Sequence, residues 1–230
     1  LDFIFVVADP ITWHRENLLC NPNHYSWIAR KLNEAILGRI QSSAAGVWFN
    51  IDIDLQADQR AKYGVTSLQN FKEDLQNWTH FYLAGRFQKP VLSLLSGGDD
   101  GDDANHQKEI NQAIQKNRKL AYELALLMQP EEFNLQSLLE TIVSLSYLGD
   151  FRMKIAENPL KVQNIVQGQF GELSEIYRKL LEIDRERIQF QPQKGIFIRN
   201  LNQDCYEIAP GLQKHLPVGT RKRYEKGEFE

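Results

Sequence analysis

Leu1-Asp2-Phe3-Ile4-Phe5-Val6-Val7 sets one carboxylate into an otherwise apolar run. The run has the length of a buried strand, and its Phe and Val side chains suit a packed, pleated surface. A carboxylate at the edge of such a strand costs free energy unless something compensates it. Asp2 is therefore an exposed strand-start residue, a carboxylate capped by donors, or a ligand to a metal ion. Working outward, Asp9-Pro10 signals a helix start, and Trp13, His14 and Asn17 fall three and four apart near one face of that helix. Asn21-Pro22-Asn23 breaks it. From His24-Tyr25-Ser26, the spacing of Trp27, Ile28, Leu32, Ile36 and Ile40 predicts a second, longer helix ending at Ala44-Ala45-Gly46. In Val47 to Leu55, the residues Val47, Phe49, Ile51 and Ile53 alternate with Trp48, Asn50, Asp52 and Asp54, which is a strand pattern. After a turn around Ala57-Asp58-Gln59, Lys62-Tyr63-Gly64-Val65 reads as its short antiparallel partner, so these pieces predict one sheet edge with helices on a face.

A helix from Thr66 carries Leu68, Phe71, Leu75 and Trp78 on one stripe, Phe81 to Phe87 fits neither period cleanly, and Pro90 to Leu95 reads as another strand. Gly97-Gly98-Asp99-Asp100-Gly101-Asp102-Asp103 is an acidic run without the later Glu and alternating ligands of a calcium loop, which favours a solvated linker. Beyond it the period turns helical. Helices are predicted over Asn105 to Gln129, from an Asn134 cap, over Pro159 to Val166 and over Glu172 to Ile183, followed by a small hairpin at Ile188 to Phe190 and Gly195 to Ile198. The expected architecture is α+β: a first domain over 1–97 with a mixed sheet and helices, an acidic linker over 98–104, a mainly helical, winged-helix-like domain over 105–200, and a C-terminal segment over 201–230.

The 230 residues can bury a sizeable core, and a net charge of −3 gives no general basic footprint, which disfavours a nucleic-acid partner. Cys20 and Cys205 lie far apart without metal-ligand spacing, arguing against a disulfide scaffold or zinc site and for a reducing compartment. No apolar run approaches the roughly 18 residues of a membrane span. A tail with Lys214-His215-Leu216 and Arg221-Lys222-Arg223-Tyr224 suits either a solvated end or contact with anionic lipid heads. The chain opens in a strand pattern without Met, so an upstream segment is expected.

Several polar residues stand where core-driven folding would not put them. Lys62 lies beside Gly64, Arg86 and Lys89 flank Gln88, and Asp150 and Arg152 interrupt an apolar run. Singly, each reads as a surface charge or a structural ion pair. Together with Asp2, and with His14 and His24 near helix starts, they make an inventory for a polyphosphate: one metal-binding carboxylate and several cations.

Seven ordered motifs carry a resemblance. They are Leu1 to Val7, Trp13-His14 with Asn17, His24-Tyr25-Ser26, Gly46-Val47 with Phe49-Asn50, Lys62-Tyr63-Gly64-Val65, Ala84-Gly85-Arg86 with Gln88-Lys89-Pro90-Val91, and Leu145-Ser146-Tyr147 with Gly149-Asp150 and Arg152-Met153. From Leu1 to about Val166 the chain resembles the mitochondrial translocator assembly and maintenance family, whose members are phosphatidate cytidylyltransferases. The resemblance implies a nucleotidyltransferase-fold domain followed by a winged-helix-like domain, with CTP and phosphatidate as substrates and Mg2+ as cofactor. It also implies peripheral attachment to an anionic membrane surface, at the matrix face of the mitochondrial inner membrane or, in a bacterium, the cytoplasmic face. Further regions are expected beyond the chain, a Gly-Ser-Gly stretch upstream of Leu1 and a longer C-terminal region that the family uses at the membrane.

On this reading Asp2, Lys62 and Asp150 are catalytic, with Asp2 the metal ligand, and His14, His24, Ser26, Asn50, Arg86, Lys89 and Arg152 bind substrate. Asp150 and Arg152 either contact phosphate or hold the domains together. The superfamily pairs carboxylates two apart on its first strand, but Ile4 stands at that position here, so Asp52 or Asp54 is expected as second metal ligand by geometry, outside the motifs. A phosphomonoester, with its second pKa near 6, can attack the α-phosphorus of CTP with little need of a general base. The remaining work is positioning and charge neutralisation. Transfer to a different acceptor, or a noncatalytic membrane-assembly scaffold, are the alternative readings.

Overall fold

The first strand forms as expected, over Asp2–Val7 (β1), and the helix after it, Pro10–Cys20 (α1), starts where Asp9 accepts a hydrogen bond from the Ile11 amide. The structure, a computed structural model, describes residues 1–55, 59–94, 101–147 and 160–200, the first three of the third stretch by backbone alone. The turn at Ala57-Asp58, linker residues 98–100, Asp150, Arg152 and the segment 201–230 lie outside the described residues. By its contacts the chain forms two compact units, Leu1–Glu73 and Asp74–Glu230, each described by itself below.

In the first unit, Trp48–Asp54 (β2) and Arg60–Ser67 (β3) join β1 in a three-stranded sheet of order β1-β3-β2. The central strand β3 runs parallel to β1 and antiparallel to β2. One face of β3 buries Ala61, Tyr63 and Val65 with Ile53, against Phe3, Val7 and Trp13. Full burial of a side chain such as Val65 or Ile53 contributes about 1.5–3 kcal/mol. Gly64 has to be glycine, because a Cβ there would stand 2.8 Å from Val47 and 2.9 Å from Phe49.

Two sequence expectations fail in this unit. The long helix from His24 is instead two short 3-10 turns, Pro22–His24 and Ala29–Lys31, followed by a helix over Glu34–Gln41 (α2). Asn33 restarts the helix by accepting from the Ile36 amide, while Trp27, Ile28, Ile36 and Ile40 stay exposed, so their helical spacing marks no buried stripe. The strict alternation in β2 also breaks. Asn50 pairs with Tyr63 but Ile53 with Ala61, so one extra residue is accommodated where Asp52 adopts φ 62°. This bulge leaves both Asn50 and Ile53 buried and Ile51 exposed.

The expected helix from Thr66 begins two residues later, over Leu68–Asn77 (α3). The division between units falls within α3 rather than near residue 97, because Trp78, Phe81 and Ala84 belong to the second unit's core. That core is helical: Leu83–Phe87 (α4), Gly101–Met128 (α5), Leu135–Leu145 (α6), Lys161–Gly168 (α7) and Phe170–Ile183 (α8). A small antiparallel sheet of order β4-β6-β5 uses Glu132–Phe133 (β4), Ile188–Gln191 (β5) and Ile196–Arg199 (β6). α5 takes in residues 101–104 of the expected linker, since acidic residues suit a helix start as well as they suit a solvated loop. Residues 90–94 form no strand, and Val91, Leu92 and Leu94 are exposed; β-propensity without a neighbouring strand to pair with does not make a strand.

Candidate functional site

The face of the first sheet opposite its core carries a row of charges. The ladder pairs Asp2 of β1 with Lys62 of β3, and their side chains form an ion pair at 3.0 Å, both about half exposed. On the other edge, Arg60 of β3 contacts Asp52 and lies 3.6 Å from Asp54 of β2. The central strand therefore separates Asp2 from Asp52 and Asp54, and each carboxylate has a cation beside it. Among the described residues no three His, Cys, Asp or Glu side chains group to hold a metal. The donor chemistry at Asp2 nevertheless fits Mg2+, which takes one or two carboxylates, keeps several waters and shares substrate phosphates. Asp52 and Asp54 stand across β3 and are held by Arg60, so the sheet order does not deliver them to Asp2.

Behind the core of the same unit, the sequence-chosen His14, His24 and Asn50 come together in one hydrogen-bond network. His14 is fully buried, with Nδ1 2.8 Å from Tyr25 Oη and Nε2 3.0 Å from Gln41 Oε1. Burial pushes its pKa down, holding the ring neutral. Tyr63 Oη is the second hub: Asn17 Nδ2 donates to it at 2.8 Å, Asn50 Nδ2 donates at 2.9 Å, and His24 Nδ1 lies at 2.9 Å. Both ring nitrogens of His14 are thus taken by protein groups, and Asn50 is buried between Tyr63 and the Trp48 indole, which donates to its Oδ1. Ser26 stands apart from this network and accepts the Ala29 amide at a 3-10 turn.

In the second unit, Asp74 does what no sequence signal announced. Its buried carboxylate accepts five backbone N–H bonds, from His80, Phe81, Tyr82, Leu83 and Ala84, at 2.6 to 3.1 Å. It gathers the orphan amides at the start of α4, while Asn117 of α5 accepts from the Trp78 indole and donates to Ala84 O. The segment held this way carries Arg86 and Lys89. Arg86 lies 3.9 Å over the Tyr82 ring and donates to Tyr82 O. Lys89 Nζ donates to Gly85 O at 2.5 Å and Ser146 Oγ at 3.1 Å, both neutral acceptors. Burial, with the Arg86 and Lys161 cations nearby, lowers the Lys89 pKa to about 8. Lys161 lies 5.1 Å over the Tyr147 ring, which Lys89 also faces at 5.9 Å. Asp150 and Arg152, expected beside these groups in sequence, are outside the described residues.

Sequence reasoning missed Asp74, Gln41, Tyr63 and Lys161 as site-forming residues. Tyr63 lay inside a quoted motif, but only the three-dimensional meeting of Asn17, His24 and Asn50 shows its role.

Fold and site together define an α+β protein that presents a carboxylate–lysine pair on an exposed sheet face in one unit and a partly buried cation cluster in the other, a set suited to phosphate chemistry. Residues 1–227 match the family described as phosphatidate cytidylyltransferase, mitochondrial, and the chain belongs to that family of enzymes. It is 37% identical to the mitochondrial phosphatidate cytidylyltransferase of Caenorhabditis briggsae over 99% of this chain and 70% of that protein. Against the proteins of the same name from Schizosaccharomyces pombe and Homo sapiens, identity is 43% and 37%, over 79% and 85% of this chain. The chain spans 44% and 41% of the length of those two relatives. Among the described residues no helix is long and apolar enough to cross a membrane.

Proposed function

We propose that the protein transfers CMP from CTP to phosphatidate, giving CDP-diacylglycerol and pyrophosphate, with Mg2+ as cofactor. Family membership over nearly the whole chain is the observation that carries this reading. The first unit is read as a nucleotidyltransferase-type domain and the helical unit, with its terminal hairpin, as winged-helix-like. Asp2 holds the metal, which when bound neutralises triphosphate charge and orients the reacting phosphates. Lys62, now paired to Asp2, is released toward phosphate oxygens once that carboxylate is otherwise engaged. Arg86 and Lys89 supply further positive charge to phosphate, and His24 donates to it. Asp150 and Arg152 are assigned to the same task by their motif alone.

The lipid substrate places the work at a membrane surface, read here as peripheral attachment on the matrix side of the mitochondrial inner membrane. Incubation with α-labelled CTP, phosphatidate vesicles and Mg2+ tests the reading through labelled lipid and released pyrophosphate, with ATP and UTP as controls. Asp2→Ala is expected to lower turnover by at least ~100-fold while leaving the melting temperature within a few degrees. Wild-type turnover in that variant at saturating Mg2+ would remove Asp2 from the metal site.

A further inference from the structure

The hydrogen-bond network of the first unit can be solved for its protons, starting from groups whose role is not negotiable. Gln41 Nε2 lies 3.0 Å from two backbone carbonyls, Gly46 O and Val65 O, so the amide nitrogen faces them and Oε1 is an acceptor. His14 Nε2, 3.0 Å from that oxygen, must then carry a proton. A fully buried imidazole with no carboxylate beside it is neutral, so His14 Nδ1 is an acceptor and the Tyr25 hydroxyl donates to it. Tyr25 Oη, having spent its proton, accepts from Asn17 at 3.0 Å, which turns the Asn17 NH2 toward both tyrosines and its Oδ1 toward Asn21 Nδ2.

A second anchor closes the solution. The Trp48 indole can only donate, so Asn50 Oδ1 faces it and Asn50 Nδ2 faces Tyr63. Tyr63 Oη therefore accepts twice, from Asn17 and Asn50, and both lone pairs are used. Its own proton has one remaining partner, His24 Nδ1 at 2.9 Å. A His24 that accepts at Nδ1 carries its proton on Nε2, on the far side of the ring from the buried hydroxyl. Nε2 has no hydrogen-bond partner among the described residues, and His24 is only partly buried.

We propose that Tyr63 is a positioning residue: held by Asn17 and Asn50, it locks His24 with its Nε2–H turned away from the network as a fixed donor for an anionic phosphate oxygen. His14, Gln41 and Trp48 touch no ligand in this scheme; they set the direction of every bond that ends at His24. This deepens the proposed function and rests on it for the identity of the phosphate, which belongs either to CTP or to phosphatidate.

Two measurements on the full protein test the proposal. Long-range 1H–15N spectra of histidine-labelled wild type at neutral pH are expected to show His24 with a bare, hydrogen-bonded Nδ1 and a protonated Nε2. A proton on Nδ1 would overturn the network solution whatever the enzyme does. In steady-state kinetics, His24→Ala is expected to cost ~100-fold in kcat/KM, the scale of one lost oxyanion donor, and His24→Gln, which restores an N–H near the Nε2 position, to recover most of it.

Tyr63→Phe should cost about tenfold alone but no more than about twofold in the His24→Ala background, because it acts only through that ring. Full multiplication of the two effects, or no rescue by glutamine, rejects the positioning role. The substrate whose KM rises in His24→Ala, CTP or phosphatidate, identifies the phosphate. A wild-type protein that makes no CDP-diacylglycerol defeats the functional reading but leaves the spectra free to decide the network.

Discussion

The regions around Tyr63 in the first unit and Lys89 in the second treat buried polarity in opposite ways. Around Tyr63, each donor up to the His24 Nδ1 edge meets an acceptor and each proton can be assigned. Around Lys89, accounts do not close. Both amide atoms of the buried Gln88 side chain and the Nε of Arg118 lack a partner among the described residues, and Lys89 itself has neutral acceptors and cationic neighbours. A matched network rigidifies and aims the groups at its edge. A desolvated cation with no carboxylate beside it among the described residues costs stability in the free protein, and an arriving anion recovers it. The Tyr63 region is built to hold a direction, and the Lys89 region keeps charge in reserve.

The comparison breaks first at Asp74, a buried charge of the second unit whose carboxylate is satisfied by backbone amides. Asp74→Ala strips five amides of their acceptor around the start of α4. A loss of about 3–5 kcal/mol is expected, the scale for removing one partner of a buried charged network. Urea unfolding measures it. A loss below about 1 kcal/mol would mean that the helical core alone holds the Arg86–Lys89 segment, and that its cations are not placed by a satisfied charge.

How much of this was legible in the sequence follows from the range of each interaction. β1, the Asp9 cap, the Asn134 cap and the terminal hairpin rest on residues within a few positions of each other, and they were read correctly. The helix expected from His24 was misread because Trp27, Ile28, Ile36 and Ile40 keep helical spacing without a surface to bury against. The β2 bulge was invisible because it is fixed by the Tyr63 partner rather than by β2 itself. Of the site, residue types were legible and roles were not. His14 and Asn50 carry the chemistry of ligand-binding groups, yet their valences are filled by Tyr25, Gln41, Trp48 and Tyr63, partners up to 27 positions away. Asp74 looked like any surface carboxylate on α3 until the chain folded back on it.

Lys89 sharpens the contrast from the other side. Its pKa is lowered from 10.5 to about 8 by burial and by Arg86 and Lys161. Below pH 8 it is charged in both folded and unfolded states, and folding bears the cost of burying that charge. Between pH 8 and 10.5 the folded protein gives up the proton while the unfolded chain keeps it, so the unfolded state binds more protons and stability rises with pH. Lys89→Met is expected to abolish that rise and to stabilise the protein at pH 7 by about 1–3 kcal/mol, while turnover falls. Thermal unfolding from pH 7 to 10, alongside the CTP–phosphatidate assay, reads both. Destabilisation at pH 7 would show that Lys89 has a structural partner and that its region, too, balances its buried charge.

The smallest expected effect belongs to His14, in the matched network. Its pKa is lowered by burial, so on acidification the unfolded chain takes up a proton near pH 6.5 before the folded protein does. Stability is therefore full above pH 6.5 and declines as pH falls toward the folded pKa, the reverse of a histidine that gains a carboxylate partner. Over pH 5.5 to 7.5 the wild-type melting temperature should fall with pH more steeply than that of His14→Gln, in which no imidazole remains to titrate. The variant itself starts lower, since Tyr25 and Gln41 lose the ring between them, at about 1–3 kcal/mol for an unmatched buried polar group. Equal slopes would mean that folding leaves proton binding at His14 unchanged, and a wild-type melting temperature that rises on acidification would mean that His14 is protonated in the fold. In that second case the His14 ring would donate to Tyr25 instead of accepting from it, and the Tyr63 region would hold an uncompensated charge as the Lys89 region does.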